Sequence, residues 1–134
     1  MRKSGLAVMM VVCFSGSALA ADPTGDWHVA DKTAVIRIAS CGEALCGTIA
    51  STLTPGIDEH NPDPSMHNRP IVGVQILLGM RLNDLGRWKG EIYNPENGKT
   101  YLGYISLTGD DVLRIDGCVL GGLLCGGENW TRAQ

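Results

Sequence analysis

The sequence predicts an all-β protein: a small antiparallel, up-and-down barrel of about eight strands. Two observations point there. Short runs rich in Val, Ile, Leu, Thr and Tyr recur between Gly, Pro, Asn and Asp turns from Gly25 to Arg132, without the spacing of an amphipathic helix. Four cysteines also flank two turn positions symmetrically, as they would on hairpins. Strands that do not alternate with helices argue for an antiparallel sheet, and closing such a sheet removes its exposed edges.

The 134 residues suffice for one domain, expected over residues 21–134. Residues 1–20 read as a Sec-type signal peptide. Arg2 and Lys3 give a positive start, Leu6 to Phe14 an apolar run too short for a bilayer, and Ala18-Leu19-Ala20 a cleavage site. The expectation is an exported protein, periplasmic or secreted, with no membrane span after cleavage behind Ala20. Cys13 lies in the apolar run, has no lipoprotein-type small-residue box before it, and leaves with it. Without Arg2 and Lys3, nine basic and fourteen acidic residues leave a net charge of −5. No basic cluster invites nucleic acid.

Cys41, Cys46, Cys118 and Cys125 remain, and an even set in an exported chain reads as disulfides. Three pairings are formally possible. Cys41 and Cys46 are centred on Glu43–Ala44. With those two residues as the loop, Gly42 and Leu45 close it, and the cysteines face each other at the next, non-hydrogen-bonded rung. Cys118 and Cys125 are centred on Gly121–Gly122 and repeat the arrangement around a loop of residues 120–123. Distant pairing would restrain the unfolded chain more, by roughly 4.5 kcal/mol against about 2 for each local loop. Each local pair is nevertheless already opposed by its own hairpin, so Cys41–Cys46 and Cys118–Cys125 are expected.

Taken in order, Gly25 to Val29 opens the first strand, and Thr33 to Ser40 follows with Ala34, Ile36 and Ile38 on one face. Leu45 to Thr52 returns. Residues 53–70 interleave four prolines with Asp58, Glu59, His60, Asn61 and Asp63, which marks a long surface loop. Ile71 to Met80 fits a short helix or a strand buried on both faces; Gly73 and Gly79 favour the strand. Gly86 to Tyr93 is the next strand, and Asn94-Pro95-Glu96-Asn97-Gly98 a strong turn. Lys99 to Thr108 places Tyr101, Gly103, Ile105 and Leu107 on one face; Val112 to Cys118 and Leu124 to Arg132 complete the set.

Three pieces together resemble one family. They are Cys41 to Gly47, the block Trp88-Lys89-Gly90-Glu91-Ile92-Tyr93-Asn94-Pro95 through Gly98-Lys99-Thr100-Tyr101, and Gly117-Cys118 through Trp130-Thr131-Arg132. The chain is thereby similar to the bacterial domain-of-unknown-function family 2147 over essentially all of its mature length. The resemblance implies an exported, lipocalin-like or calycin-like barrel and no established reaction. Gly25-x-Trp27 resembles the lipocalin G-x-W signature, and Arg132 resembles the arginine that closes a lipocalin barrel by packing on that tryptophan. A guanidinium over an indole contributes about 0.5–2 kcal/mol.

Alternation points Trp27, Ile36, Ile38, Ile49, Trp88, Tyr101, Ile105, Leu113 and Ile115 inward. An eight-stranded barrel either fills itself with such side chains or holds one small ligand. The expected ligand-binding residues are Trp88, Tyr101, Arg69, Ile36, Ile38 and Ile105. Asp58 to His67 carries carboxylates and two histidines but lacks EF-hand spacing, so a solvated loop with Asx turns is favoured over a metal site. Arg69 could capture an anion at the mouth or pair with Asp58 or Asp63.

No catalytic residue, metal or cofactor is expected. Histidines are few, the cysteines are bridged, and no G-x-S-x-G elbow occurs. The leading expectation is a protein that binds a small, largely apolar molecule in its interior. The alternative is a periplasmic protein-binding module, an inhibitor or an envelope assembly or stress factor, acting through its loops, or a purely structural role. Periplasmic lysozyme inhibitors offer that analogy, although their S-G-x-x-Y motif is missing. A third option is an enzyme using Asp58 or Asp63 beside a histidine, which a carboxylate buried against a histidine in a cleft would support.

Overall fold

Each strand pairs with its neighbours in sequence, and the last pairs with the first. A computed structural model describes residues 4–5, 7–12 and 22–133, and within them eight strands form one closed antiparallel barrel. They are β1 (Gly25–His28), β2 (Ala34–Cys41), β3 (Ala44–Thr52), β4 (Gln75–Leu82), β5 (Trp88–Asn94), β6 (Lys99–Leu107), β7 (Val112–Val119) and β8 (Leu124–Arg132). Arg2, Lys3, Cys13 and Ala18-Leu19-Ala20, on which the signal-peptide expectation rests, lie outside the described residues. Among the described residues no helix is long and apolar enough to cross a membrane.

Both disulfides are the local ones, Cys41–Cys46 and Cys118–Cys125. The second sits as the spacing predicts, with Cys118 opposite Cys125 and residues 120–123 as the loop. The first does not. Its loop is Gly42–Glu43, so Cys41 faces Ala44, Leu45 faces Ser40 and Cys46 faces Ala39. The bridge therefore runs diagonally, with the Cα atoms 5.8 Å apart. Gly42 takes φ +67°, which a two-residue hairpin demands at its first loop position and which glycine meets without strain. Turn chemistry outweighed cysteine symmetry in setting the register.

The expected strand from Ile71 to Met80 is also displaced: β4 starts at Gln75 and runs to Leu82. Residues 71–74 are instead a turn closed by a Val74 N–H to Ile71 carbonyl bond of 3.1 Å. Burial on both faces is observed, since the neighbours Ile76 and Leu77 are both buried. Gly79 has φ +58°, and here three steps on β4 match two on β5, which is a bulge with a left-handed glycine. The bulge restores inward parity to Met80, which is fully buried.

The barrel has two unlike ends. Up-and-down order places the β2–β3, β4–β5 and β6–β7 turns and both strand termini at one end, and the other four connections opposite. The first end is filled by Trp27, Ile36, Ile38, Ile105, Leu113 and Met80, all essentially inaccessible. Each such aliphatic side chain contributes about 1.5–3 kcal/mol by leaving water. Between this end and the other, Gly103 lets Ile92 pack closely across β5 and β6, because a Cβ there would overlap it. The seam is fastened at this end as well. Trp27 faces Arg132 across β1 and β8, with the guanidinium 4.3 Å from the ring centroid. Arg132 also donates to the carbonyls of Asp110 and Thr24 at 2.9 Å each, and the Trp27 indole N–H donates to the Pro23 carbonyl.

Candidate functional site at the barrel mouth

Above the filled half, the barrel is hollow. A cavity of about 760 Å³ opens among the β1–β2, β5–β6 and β7–β8 connections. Counting by two along β8 from Trp130, which is buried opposite Leu113, puts Glu128 and Gly126 on the inner face. Gly126 faces Gly117 of β7. A Cβ on Gly126 would have no neighbour within 4 Å, and one on Gly117 would make only ordinary contact. Two facing glycines thus leave the wall bare where larger side chains would fill a small barrel. Ile92, Tyr101, Ile115 and Trp130 supply the apolar and aromatic lining. The Tyr101 hydroxyl is held by the Asn97 side-chain amide at 2.8 Å, and the Trp130 indole N–H donates to Glu128 Oε1 at 2.7 Å.

Beside this mouth, the β3–β4 connection builds a second arrangement. Ile57 and Pro70 pair across it, and the Asp58 N–H donates to the Arg69 carbonyl at 3.0 Å, so the segment is a small hairpin of its own. Asn61 and Asp63 form the expected Asx turns, each accepting from the backbone two residues on. Full solvation was also expected, and here the structure differs: Asp58 is 0% exposed. Tyr93 has the opposite parity to Trp88 and Ile92 on β5, yet it is buried because this segment covers it. Its hydroxyl donates to Asp58 Oδ1 at 2.6 Å. Asp58 Oδ2 accepts from Arg69 Nε at 2.9 Å, from Arg69 Nη2 at 2.7 Å and from the Asn61 amide at 2.9 Å.

Burial alone would raise the Asp58 carboxyl, but the bonds from Tyr93, Asn61 and Arg69 together outweigh it and hold it below the ordinary 3.8. Burial pushes the Tyr93 hydroxyl above its ordinary 10.0, and the Asp58 carboxylate beside it adds to that. The carboxylate is thus a fastener, saturated by three side chains. His67 does not reach it; its Nε2 lies 2.6 Å from the Asn61 carbonyl. A smaller cavity of about 410 Å³ lies between this segment and the wall, bordered by Arg69, Tyr93 and Leu78.

The six expected ligand-binding residues are therefore scattered. Tyr101 lines the mouth cavity. Ile36, Ile38 and Ile105 belong to the solid core below it, and Trp88 packs half-buried against that core. Arg69 borders the smaller cavity and is committed to Asp58. Trp130, Glu128, Gly117 and Gly126 were missed at the mouth, although the two-residue period of β8 marks the inner ones. Nothing local in the sequence marks Asp58, whose burial depends on Tyr93, thirty-five residues away.

The fold is that of a lipocalin. It is similar to the solved protein HP1028 from the human pathogen Helicobacter pylori, described as belonging to the lipocalin family, with a TM-score of 0.75 and 18% identity over 86% of this chain and 85% of that one. No curated protein matches the sequence. The family described as "Uncharacterized protein conserved in bacteria (DUF2147)" matches residues 25–132, and the chain belongs to it.

Proposed function

We propose that this protein is an exported binder of a small, largely apolar molecule, held in the mouth of the barrel. The observation that carries this reading is the half-filled interior: a solid core beneath a cavity of about 760 Å³, walled by aromatic and aliphatic side chains and two bare glycines. A volume on that scale suits a small ligand, which would gain by desolvation against Ile92, Ile115 and Trp130. Two disulfides support export, since such bridges persist in oxidising compartments. The reading is one of binding rather than catalysis: Asp58 is buried against Arg69, Tyr93 and Asn61 and not against a histidine.

The test is native mass spectrometry of the protein purified from its own host, alongside Gly126→Phe. The parent chain is expected to carry a small-molecule adduct that is released on denaturation. Gly126→Phe, which fills open space without straining the backbone, is expected to fold normally and lose the adduct. An adduct retained equally by both would place the ligand elsewhere.

A docking role through the loops has one observation in its favour. Leu120 and Leu123 at the β7–β8 tip are 72% and 89% exposed, and Leu53 and Val72 on the β3–β4 connection are also exposed at this end. A partner recovered with the parent chain but not with Leu123→Ser would support that role.

A further inference from the structure

Charge distinguishes the mouth from the rest of the surface. Asp31, Glu96 and Glu128 all border the cavity, and among the described residues no lysine, arginine or histidine does. Elsewhere Asp26, Asp58 and Asp116 each hold an arginine within 4.0 Å; none of the three mouth carboxylates has such a partner among the described residues. Lys32, next to Asp31, is not part of the lining.

Glu128 is the most informative of the three. It stands on the inner face opposite Ile115 and is exposed at the open mouth. One oxygen takes the Trp130 indole N–H, which fixes the carboxylate beside that ring, and the other has no hydrogen-bond partner among the described residues. Glu128 is exposed, so its carboxylate keeps its water until a ligand covers the mouth. An apolar ligand that carries a cation then offsets the lost hydration with a charge pair, and a neutral one does not. Trp130 and Tyr101 also line the cavity, and aromatic rings attract cations and not anions over their faces.

We propose, resting on the binding function above, that the mouth selects an apolar molecule carrying a positive charge, an alkyl amine or quaternary ammonium. Its apolar body lies against Ile92, Ile115 and Trp130, and its charged group sits between Glu128 and the aromatic rings. A fatty-acid-like anion would meet three carboxylates and no cation to receive it. A neutral apolar molecule would gain the desolvation alone.

The experiment is titration of the full chain with three ligands of equal alkyl length, dodecyltrimethylammonium, dodecanol and dodecanoate, each below its micelle concentration at neutral pH and low salt. Tryptophan fluorescence and calorimetry read the affinity. The cation is expected to bind at least about tenfold tighter than the alcohol, with the carboxylate weakest, the scale of one charge-assisted contact. Glu128→Gln keeps an acceptor for the Trp130 N–H; it is expected to lose about tenfold for the cation and leave the alcohol unchanged. Dodecanoate binding as tightly as the ammonium, or Glu128→Gln weakening all three equally, would overturn the charge selectivity while the binding function stood. Failure of all three to bind would remove the binding function itself.

Discussion

The two ends of this barrel use the same strands to opposite purposes. At the closed end, inward positions hold Trp27, Ile36, Ile38, Ile105 and Leu113, and Arg132 ties the seam both to the stretch from Asp22 into β1 and to the β6–β7 turn. At the mouth, the continuation of the same inner face on β7 and β8 reads Ile115-x-Gly117 and Gly126-x-Glu128. The difference teaches that strand pairing and interior packing are separable. β7 and β8 keep eight paired positions along their whole length, so the backbone ladder persists where side-chain filling stops.

Substitutions sharpen this contrast, and the largest effect belongs to the closed end. Trp27→Ala empties the bottom of the core, strips Arg132 of its ring, and is expected to cost about 3–5 kcal/mol. Urea unfolding checks it; a loss near 1 kcal/mol would mean the closed end collapses around the gap.

Next comes the fastener on the flank. Asp58→Asn leaves Arg69 without a counter-charge and is expected to cost about 2 kcal/mol. Its pH dependence has a defined sign. The Asp58 carboxyl titrates lower in the folded chain than its ordinary 3.8, so its contribution is complete above that value and lost as pH falls through the depressed folded one. Tyr93 titrates above its ordinary 10.0 when folded, so its contribution is complete below 10.0 and lost as pH rises through the raised value. Unfolding midpoints of parent and Asp58→Asn are therefore expected to stay well apart at neutral pH and converge in acid. A gap that stays constant into acid would show that charge is not what Asp58 contributes.

Smallest is the mouth rim. Leu123→Ser, at a tip that is 89% exposed, is expected to change stability by less than about 0.5 kcal/mol, within the spread of surface substitutions. A larger loss would show the tip packing against something in solution.

Legibility in the sequence followed the same division. Gly25-x-Trp27, Arg132, the alternation of β2 and β6 and the Cys118–Cys125 spacing are short-range signals, and the closed barrel could be read from them. The Cys41–Cys46 hairpin misled because two local signals competed, cysteine symmetry and a glycine suited to a left-handed turn, and the sequence alone does not rank them. The mouth was harder. Tyr101 could be placed by alternation, but whether a barrel is filled depends on what stands opposite each residue. Gly126 facing Gly117 is a fact of register between two strands. Asp58 was least legible, since a carboxylate in a proline-rich loop looks solvated until a tyrosine from another strand is found above it.

The shortness of β1 has a consequence for how the molecule breathes. β1 has four residues against nine in β8, and only two rungs join them, Trp27 with Arg132 and His28 with Thr131. From Leu124 to Trp130, β8 is laddered to β7 on one side and, among the described residues, to no strand on the other. Local opening is cheapest where hydrogen bonds are fewest, so amide protons along this half of β8 exchange with solvent before those of any central strand. The wall beside the cavity is also the part of the barrel that parts first.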